Sequence, residues 1–170
     1  MASAFKQLNE AANLATRLTC AALAAGIFAV TFLQVFFRYV LNSSLLWAEE
    51  VGIYAMAWLT FLGSSLLLRD WGHIGINVLL RKAPDRARVV LVFCVEATVL
   101  LFLLFLAYYG TTTALFGFSR RSPSMGFSTW WLKLAVPIGA VLMTLNLIEL
   151  IAADIRHWQQ GDMRHFDRFT

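Results

Sequence analysis

The sequence has little charge and no long polar stretch. Only 14% of its 170 residues are charged and 59% are hydrophobic, so the mean hydropathy of +0.67 is too high for an ordinary soluble domain. Charge is nearly absent from four stretches, which are residues 18–37, 51–68, 89–113 with Glu96 alone, and 134–153 with Glu149 alone. A helix needs about 20 apolar residues to cross a hydrocarbon core of about 30 Å. Each stretch is long enough, and the remaining segments are too short to form a soluble catalytic domain.

Residues that carry metal or catalytic chemistry are scarce as well. The two cysteines, Cys20 and Cys94, lie inside apolar stretches and at no metal-ligand spacing, so we expect free thiols that pack as small apolar side chains. His73 has no Cys, Asp or Glu at ligand spacing, no serine lies in a nucleophile-elbow context, and no glycine-rich loop follows a strand. We therefore expect no metal, no cofactor and no enzymatic activity.

The apolar stretches predict an all-α integral membrane protein with four transmembrane helices in one bundle. The chain is expected to form a single membrane domain over residues 1–170. The spans are predicted at about residues 18–38, 47–68, 89–113 and 131–153. The first is longer than the roughly 7–15 apolar residues of a cleaved signal, so we expect it to be retained as a helix.

Other features predict details of the bundle. Residues 72–83 are too polar to span, and both this segment and residues 1–16 are predicted to lie along the interface as short amphipathic helices. Pro137 should kink the fourth helix because it removes a backbone hydrogen bond. Small residues allow helices to approach closely in lipid. They form two stripes, Ala22, Gly26 and Ala29 on the first span and Ala57, Thr60 and Ser64 on the second.

The fourteen basic residues are distributed unevenly between the two sides of the predicted bundle. Ten lie beside the termini and in the loop between the second and third spans, and four lie on the opposite side. Because cytoplasmic loops are rich in Lys and Arg, both termini are predicted to be cytoplasmic. Tryptophans mark the same boundaries, with Trp47, Trp130 and Trp131 at the outer interface and Trp71 and Trp158 at the inner one. Charge confined to helix ends predicts lipid as a partner and not nucleic acid.

Three charged side chains flank the short loop between the first and second spans. Glu49 and Glu50 lie in the first turn of the second helix, where carboxylates complement the helix dipole, and Arg38 ends the first helix. We predict that Arg38 pairs with Glu50, while Glu49, with Trp47 beside it, is left as a candidate partner contact. A structural role, a partner contact and a role in ion translocation are the alternatives for the two carboxylates.

Two further carboxylates lie within the spans. Glu96 is the deepest charge, roughly two turns into the third helix, and no basic or second acidic residue is predicted at its depth in the other spans. It could form an interhelical or intersubunit hydrogen bond, or it could carry a proton or cation. Glu149 lies about one turn from the inner end of the fourth helix. Because Arg156 shares its face, we expect the two to pair or to extend to the interface.

The outer loop between the third and fourth spans is rich in Ser, Pro and Gly over residues 120–128. Arg120, Arg121 and Lys133 make this loop and its flank basic. They could be ordinary interfacial charges. Alternatively, they could steer a protein with an acidic patch by a long-range attraction that weakens with salt.

Five short segments occur in a characteristic order along residues 18–153. They are F-R-Y-V-L-N-S at residues 37–43, W-A-E-E at 47–50, F-L-G at 61–63 with Arg69 and H-I at 73–74, A-P at 83–84 with Arg86 and Arg88, and residues 122–139, which end in V-P-I-G. This set resembles the small membrane subunit, of Q or DctQ type, of tripartite ATP-independent periplasmic (TRAP) transporters. One departure is that Ser128 and Thr129 stand before Trp130 where that family has a proline.

The resemblance implies a subunit that lies beside a large elevator-type membrane subunit in the bacterial inner membrane, as part of a fixed scaffold. The large subunit would carry substrate and sodium, and a periplasmic solute-binding protein would deliver an organic acid. The sequence itself shows no inverted repeat or pair of broken helices that would form a midplane transport site. Two alternatives stay open, which are a self-contained, homo-oligomeric proton-coupled transporter that uses Glu96 and a lone membrane assembly factor.

Overall fold

The computed structural model describes residues 2–69 and 84–160, and these form helices joined by short connections. In chain order the helices are α1 (Ala2–Tyr39), α2 (Leu46–Arg69), α3 (Asp85–Phe116), the single turn α4 (Trp130–Lys133) and α5 (Ala135–Gln159). We call the end of the bundle with the connections 40–45 and 117–129 the hairpin end. The opposite end, where α1 begins and α5 finishes, is the terminal end.

Four helical segments are long and apolar enough to cross a membrane. They are Asn9–Tyr39, Leu46–Arg69, Ala87–Phe116 and Trp130–Gln159. Each contains one of the four spans predicted from the sequence, which confirms the all-α membrane fold. The helices run beyond the apolar stretches because helix geometry continues into polar sequence until a residue breaks it, and hydropathy marks only the part that suits lipid.

The amino-terminal segment differs from the prediction of a separate interfacial helix. Residues 2–16 continue without a break into the first span, so that α1 has 38 residues and is about 57 Å long at 1.5 Å per residue. No proline or glycine occurs before Gly26 to end the helix. Its buried face is also polar, with Asn9, Asn13 and Thr16 almost fully enclosed. The second predicted amphipathic segment, residues 72–83, lies outside the described residues.

Helices α2 and α5 form the centre of the bundle. Helix α1 packs along α2, and α3 packs along α5. The apolar core lies where α2, α3 and α5 meet, and its buried members are Leu68, Leu103, Met143 and Leu147. Helix α5 is enclosed most, because it lies between α2 and α3.

Two glycines on the helix surfaces allow the closest approaches. A Cβ at Gly139 on α5 would lie 2.6 Å from the Cβ of Phe61 on α2, and a Cβ at Gly110 on α3 would lie 2.8 Å from Val136 on α5. By contrast, nothing lies within 4 Å of such an atom at Gly26 or Gly63. The small-residue stripe predicted on the first span is therefore not the closest contact, since Ala22 and Gly26 line an open groove against α2.

The interruption between α4 and α5 has a clear cause in the sequence. The helix is broken at Leu134, between Lys133 and Ala135. Pro137 has no N–H to donate to the carbonyl of Lys133, and its ring crowds that carbonyl. The hydrogen-bonded pattern resumes with Ile138, whose N–H donates to Leu134 O at 3.2 Å. The predicted distortion by Pro137 is thus seen as a break one turn before the proline.

Candidate functional site

The connection between α3 and α4 folds as a small hairpin, which we call the 120–129 hairpin. Arg121 and Ser128 form an isolated antiparallel bridge, and the Thr129 N–H donates to Arg120 O at 2.9 Å. Nearer the tip, the Ser122 N–H donates to Phe127 O at 2.7 Å. Gly126 has a φ of 70°, which is a left-handed conformation that glycine adopts at little cost. The Ser/Pro/Gly-rich loop therefore has a defined shape.

The base of the hairpin is fixed to the end of α3. Ser128 Oγ lies 3.2 Å from Gly117 O and 3.1 Å from Phe118 O, and Thr129 Oγ1 donates to Gly117 O at 3.2 Å. Carbonyls at the end of a helix lack intrahelical donors, and these hydroxyls supply donors there in addition to the Arg120 N–H, which donates to Gly117 O at 3.2 Å. A Cβ at Gly117 would lie 2.8 Å from the Lys133 side chain, which shows how closely α3 and α4 approach there.

The tip of the hairpin is held by Glu50 on α2. Ser122 Oγ donates to one carboxylate oxygen of Glu50, and the Ser124 N–H donates to the other at 3.1 Å. Ser122 Oγ also accepts the Met125 N–H at 3.1 Å, and Ser122 is only 4% exposed. We call Glu50, Ser122, Ser124 and Met125 the Glu50 clasp. It joins residues that lie more than 70 positions apart in the chain.

The predicted pair between Arg38 and Glu50 is wrong. Among the described residues, the carboxylate of Glu50 accepts its hydrogen bonds from the hairpin, and Arg38 forms no ion pair with it. Arg38 is exposed at the last turn of α1. The prediction rests on charges that are close in sequence, whereas backbone N–H and hydroxyl groups can also donate hydrogen bonds to a carboxylate.

The remaining residues predicted at this end of the bundle are mostly open to the surroundings. Trp47 and Glu49 are exposed in the first turn of α2, and Arg120 and Arg121 are exposed on the hairpin. Within residues 2–69 and 84–160, the contact that Arg121 makes is with a backbone carbonyl, with Nη1 at 3.4 Å from Gly126 O. The structure therefore brings Glu50 together with the hairpin, and the other four side chains stay exposed in the part of the chain that it describes.

Aromatic side chains support the hairpin from the side of the bundle. Trp58 Nε1 donates to Trp131 O at 3.1 Å, the rings of Trp130 and Trp131 are 5.0 Å apart, and those of Phe118 and Trp130 are 5.7 Å apart. An apolar groove of about 450 Å³ runs between α1, α2 and the hairpin. It continues into the groove of about 320 Å³ between α1 and α2, because Leu23, Val51 and Ala55 line both.

A second polar cluster lies toward the terminal end, and the sequence interpretation missed it. Asn13 and Asn146 exchange amide hydrogen bonds at 2.8 and 3.1 Å, and Asn146 also donates to Ser65 O at 2.8 Å. Asn9 donates to Glu149. We call these five residues the asparagine ladder. Two signals in the sequence could have revealed this cluster. Asn9 and Asn13 are four residues apart, about one helical turn, and Asn146 lies within an apolar stretch.

The predicted pair of Glu149 and Arg156 is also not what the structure shows. Glu149 accepts from Asn9 on α1, whereas Arg156 Nε donates to the backbone of its own helix, at 2.9 Å from Ala152 O. Glu149 is turned toward α1, and Arg156 is exposed. The carboxylate thus connects two helices instead of neutralising a charge on its own helix.

Glu96 is buried on α3, at 1% exposure, and a second buried carboxylate lies at its level. The rings of Phe93 on α3 and Trp158 on α5 pack at 6.4 Å, and Glu96 and Asp154 each lie about one turn from these rings toward the hairpin end. Asp154 is fully buried. The expectation that no other acidic residue shares the depth of Glu96 is therefore wrong. The predicted fourth span ends at residue 153, so Asp154 is not counted among the residues within the spans.

Metal-binding groups do not converge in the part of the chain that the structure describes. There, no three His, Cys, Asp or Glu side chains come close enough to hold a metal ion together. The two cysteines carry free thiols. His73 lies outside the described residues.

Comparison with known proteins identifies relatives over most of the chain. Residues 27–157, about three quarters of the sequence, match the family described as "Tripartite ATP-independent periplasmic transporters, DctQ component". The sialic acid TRAP transporter small permease protein SiaQ of Vibrio cholerae is 26% identical over 146 residues, which cover 86% of this chain and 84% of SiaQ. The ectoine TRAP transporter small permease protein TeaB of Halomonas elongata is 26% identical over 141 residues, which cover 80% and 73%.

A third relative is much longer than this chain. The sialic acid TRAP transporter permease protein SiaT of Haemophilus influenzae is 26% identical over 123 residues. These cover 72% of this chain and only 20% of SiaT. In SiaT, a segment similar to this bundle is therefore part of a single polypeptide that continues well beyond it.

Proposed function

This chain belongs to the DctQ family of TRAP transporter components, and from that premise we propose that it is a fixed membrane scaffold that binds and stabilises the large permease subunit. As a small permease subunit it is a component of a transporter, and its four apolar helices make it a multi-pass inner-membrane protein. The transport that it supports is proposed to be sodium-coupled uptake of an organic acid, which a periplasmic solute-binding protein delivers.

The observation that best supports the scaffold role is the packing of the bundle interior and the apolar lining of the grooves at its sides. The core where α2, α3 and α5 meet is filled by apolar packing around Leu103 and Leu147, and the buried amides of the asparagine ladder form hydrogen bonds between helices. The grooves of about 320, 380 and 450 Å³ at the sides of the bundle are lined almost wholly by apolar side chains. A sodium or organic-acid site needs several converging polar groups. The apolar lining of these grooves supports the proposal that substrate and ion pass through the large subunit and not through this one.

The comparison with SiaT supports the identity of the partner. In that protein a DctQ-like segment is covalently joined to a longer permease sequence. Segments that occur in one polypeptide in one protein are good candidates for neighbours when they are separate chains in another. The exposed apolar faces of α1 and α3, which include Phe28, Phe32, Phe102 and Phe105, offer area for such a neighbour and for lipid.

The orientation follows from the basic asymmetry of the sequence. With both termini in the cytoplasm, the hairpin end faces the periplasm. Arg120 and Arg121 are then exposed toward the solute-binding protein, and we expect them to attract an acidic patch on it. Arg38, Trp47 and Glu49 surround the same end and are proposed as contacts for the large subunit or the binding protein.

Co-purification of the small and large subunits tests the scaffold role. We expect a stable one-to-one complex, loss of large-subunit yield when this chain is omitted, and no uptake by vesicles that contain this chain alone. Uptake by this chain alone would refute the proposal. The docking surface is tested separately with Arg120→Glu combined with Arg121→Glu, which should raise the half-saturating concentration of binding protein and leave complex yield unchanged. An unchanged concentration dependence would exclude this surface.

One observation favours the alternative of a self-contained proton-coupled transporter. Glu96 and Asp154 bring two buried carboxylates to one level of the bundle, and intramembrane carboxylates can relay protons. Each is also buried on one of two helices that pack along each other, where carboxylates can connect helices. Vesicle uptake by the isolated chain distinguishes these two roles, because the scaffold role predicts none.

A further inference from the structure

The 120–129 hairpin is anchored at its base and at its tip, and the two attachments use different side chains. Its base is tied to α3 by the hydroxyls of Ser128 and Thr129, which are part of the hairpin itself. Its tip is tied to α2, and among the described residues both hydrogen bonds that make this tie end on the carboxylate of Glu50. The hydrogen-bonded attachment of the tip to α2 therefore depends, among the described residues, on one side chain.

The chemistry of the Glu50 clasp suits the fixing of a turn. Glu50 accepts a hydroxyl and a backbone N–H, and hydrogen bonds to an ionised carboxylate are stronger than those between neutral groups. Ser122 Oγ acts as a relay, since it donates to Glu50 and accepts the Met125 N–H. Through its backbone, Ser122 also pairs with Phe127 and Gly126. Loss of the Glu50 contact would thus release the tip without removing the bonds inside the hairpin.

The hairpin carries two exposed basic residues at this end of the bundle, Arg120 and Arg121. Arg121 is in the backbone bridge with Ser128, one residue from the clasp residue Ser122, and Arg120 precedes it. We infer that Glu50 is a positioning residue, which holds the 120–129 hairpin in one arrangement so that Arg120 and Arg121 meet an acidic surface of the solute-binding protein. This inference rests on the docking role in the proposed function. Glu50 itself stays beneath the hairpin and acts through it.

The size of the effect follows from the population of the docking arrangement. If loss of the clasp lowers the fraction of hairpins in that arrangement to about a tenth, the apparent Kd for the binding protein rises about tenfold. A purely electrostatic effect has the opposite sign. Removal of the negative charge of Glu50 makes the hairpin end more basic, which should strengthen the attraction of an acidic partner.

The test uses the complex of small and large subunits in lipid nanodiscs and its cognate binding protein. Glu50→Gln and Ser122→Ala should each raise the Kd about tenfold, and the double variant should be no worse than either single variant, because both break the same clasp. Ser122→Thr keeps the hydroxyl and should retain most of the affinity. The matched controls are Ser44→Ala, in the other loop at this end, and Glu10→Gln, at the terminal end, and both should leave the Kd unchanged.

Amide hydrogen exchange in the same samples follows the hairpin directly. In Glu50→Gln we expect exchange at residues 122–126 to be at least severalfold faster, while exchange in the core of α5 is unchanged. Unchanged exchange at the tip, a lower Kd in Glu50→Gln, or faster exchange with an unchanged Kd would each overturn the inference. The Arg120→Glu and Arg121→Glu variant separates the two proposals. If its Kd and salt dependence are unchanged while Glu50→Gln still loosens the tip, it is the docking surface that fails.

Discussion

The crossing of α2 and α5 depends on the absence of a side chain at Gly139. A methyl group there would lie 2.6 Å from Phe61 Cβ, 3.1 Å from Phe61 O and 3.2 Å from its carbonyl carbon. Carbon atoms pack at about 3.5–4.0 Å, so Gly139→Ala requires the two helices to separate by about 1 Å. The atoms in the way belong to the backbone and to Cβ, and no rotamer change can move them aside.

The cost of Gly139→Ala can be estimated against a control in the same bundle. Overpacking of this kind costs about 1–3 kcal/mol, while alanine gains up to about 1 kcal/mol over glycine in a helix. Gly63→Ala on α2 has the same gain, but nothing lies within 4 Å of its new methyl group. The difference between the two variants isolates the clash, and we expect Gly139→Ala to be less stable by about 1–3 kcal/mol.

Thermal unfolding in a mild detergent measures this difference. The six tryptophans provide an intrinsic fluorescence signal, and yield of the complex with the large subunit provides a second one. We expect the unfolding temperature of Gly63→Ala to match or exceed that of the parent protein. The unfolding temperature of Gly139→Ala should be several degrees below that of Gly63→Ala. Equal stability of the two variants would show that α2 and α5 do not cross closely at Phe61.

Two other predictions concern the asparagine ladder and the orientation of the chain. Asn13→Ala and Asn146→Ala should each destabilise the bundle by about 1–2 kcal/mol, because each leaves a buried amide without its partner. In a double-mutant cycle the two losses should be less than additive, and full additivity would contradict a direct amide pair. For orientation, single cysteines at Ser124 and Gln159, in a chain without Cys20 and Cys94, should react with impermeant reagents from the periplasm and from the cytoplasm respectively. Reaction of both from one side would refute cytoplasmic termini.

Features set by neighbouring residues could be predicted from the sequence. The four spans follow from runs of apolar residues that lipid requires, and the break before α5 follows from the covalent structure of Pro137. Both depend on interactions within one helix or between one helix and lipid. Neither needs knowledge of which helices are neighbours.

Contacts between distant segments could not be predicted in the same way. Glu50 was assigned to Arg38 because the two are close in sequence, yet its partners Ser122 and Ser124 come from a loop more than 70 residues away. A helical period shows which residues share a face, but not which helix covers that face. The glycines illustrate the same limit, since Gly26 lines an open groove whereas Gly139 lies against Phe61.

The asparagine ladder was missed for a related reason. A charge within an apolar span stands out in the sequence, whereas the neutral amides of Asn13, before the first predicted span, and Asn146, within the fourth, do not. In an apolar setting an amide needs a hydrogen-bond partner almost as much as a charge does. The buried polar face of α1 could have been recognised from Asn9, Asn13 and Thr16, which follow one another at helical spacing.

The claim that this subunit supports transport without carrying substrate or ion is tested most directly at Glu96. Glu96→Gln keeps the shape of the side chain and its hydrogen-bonding capacity, but removes the charge and its titration. In proteoliposomes with the large subunit and the binding protein, we expect near-normal uptake and an unchanged number of sodium ions per substrate. Normal assembly of the complex together with abolished uptake, or with an altered sodium stoichiometry, would contradict the scaffold role.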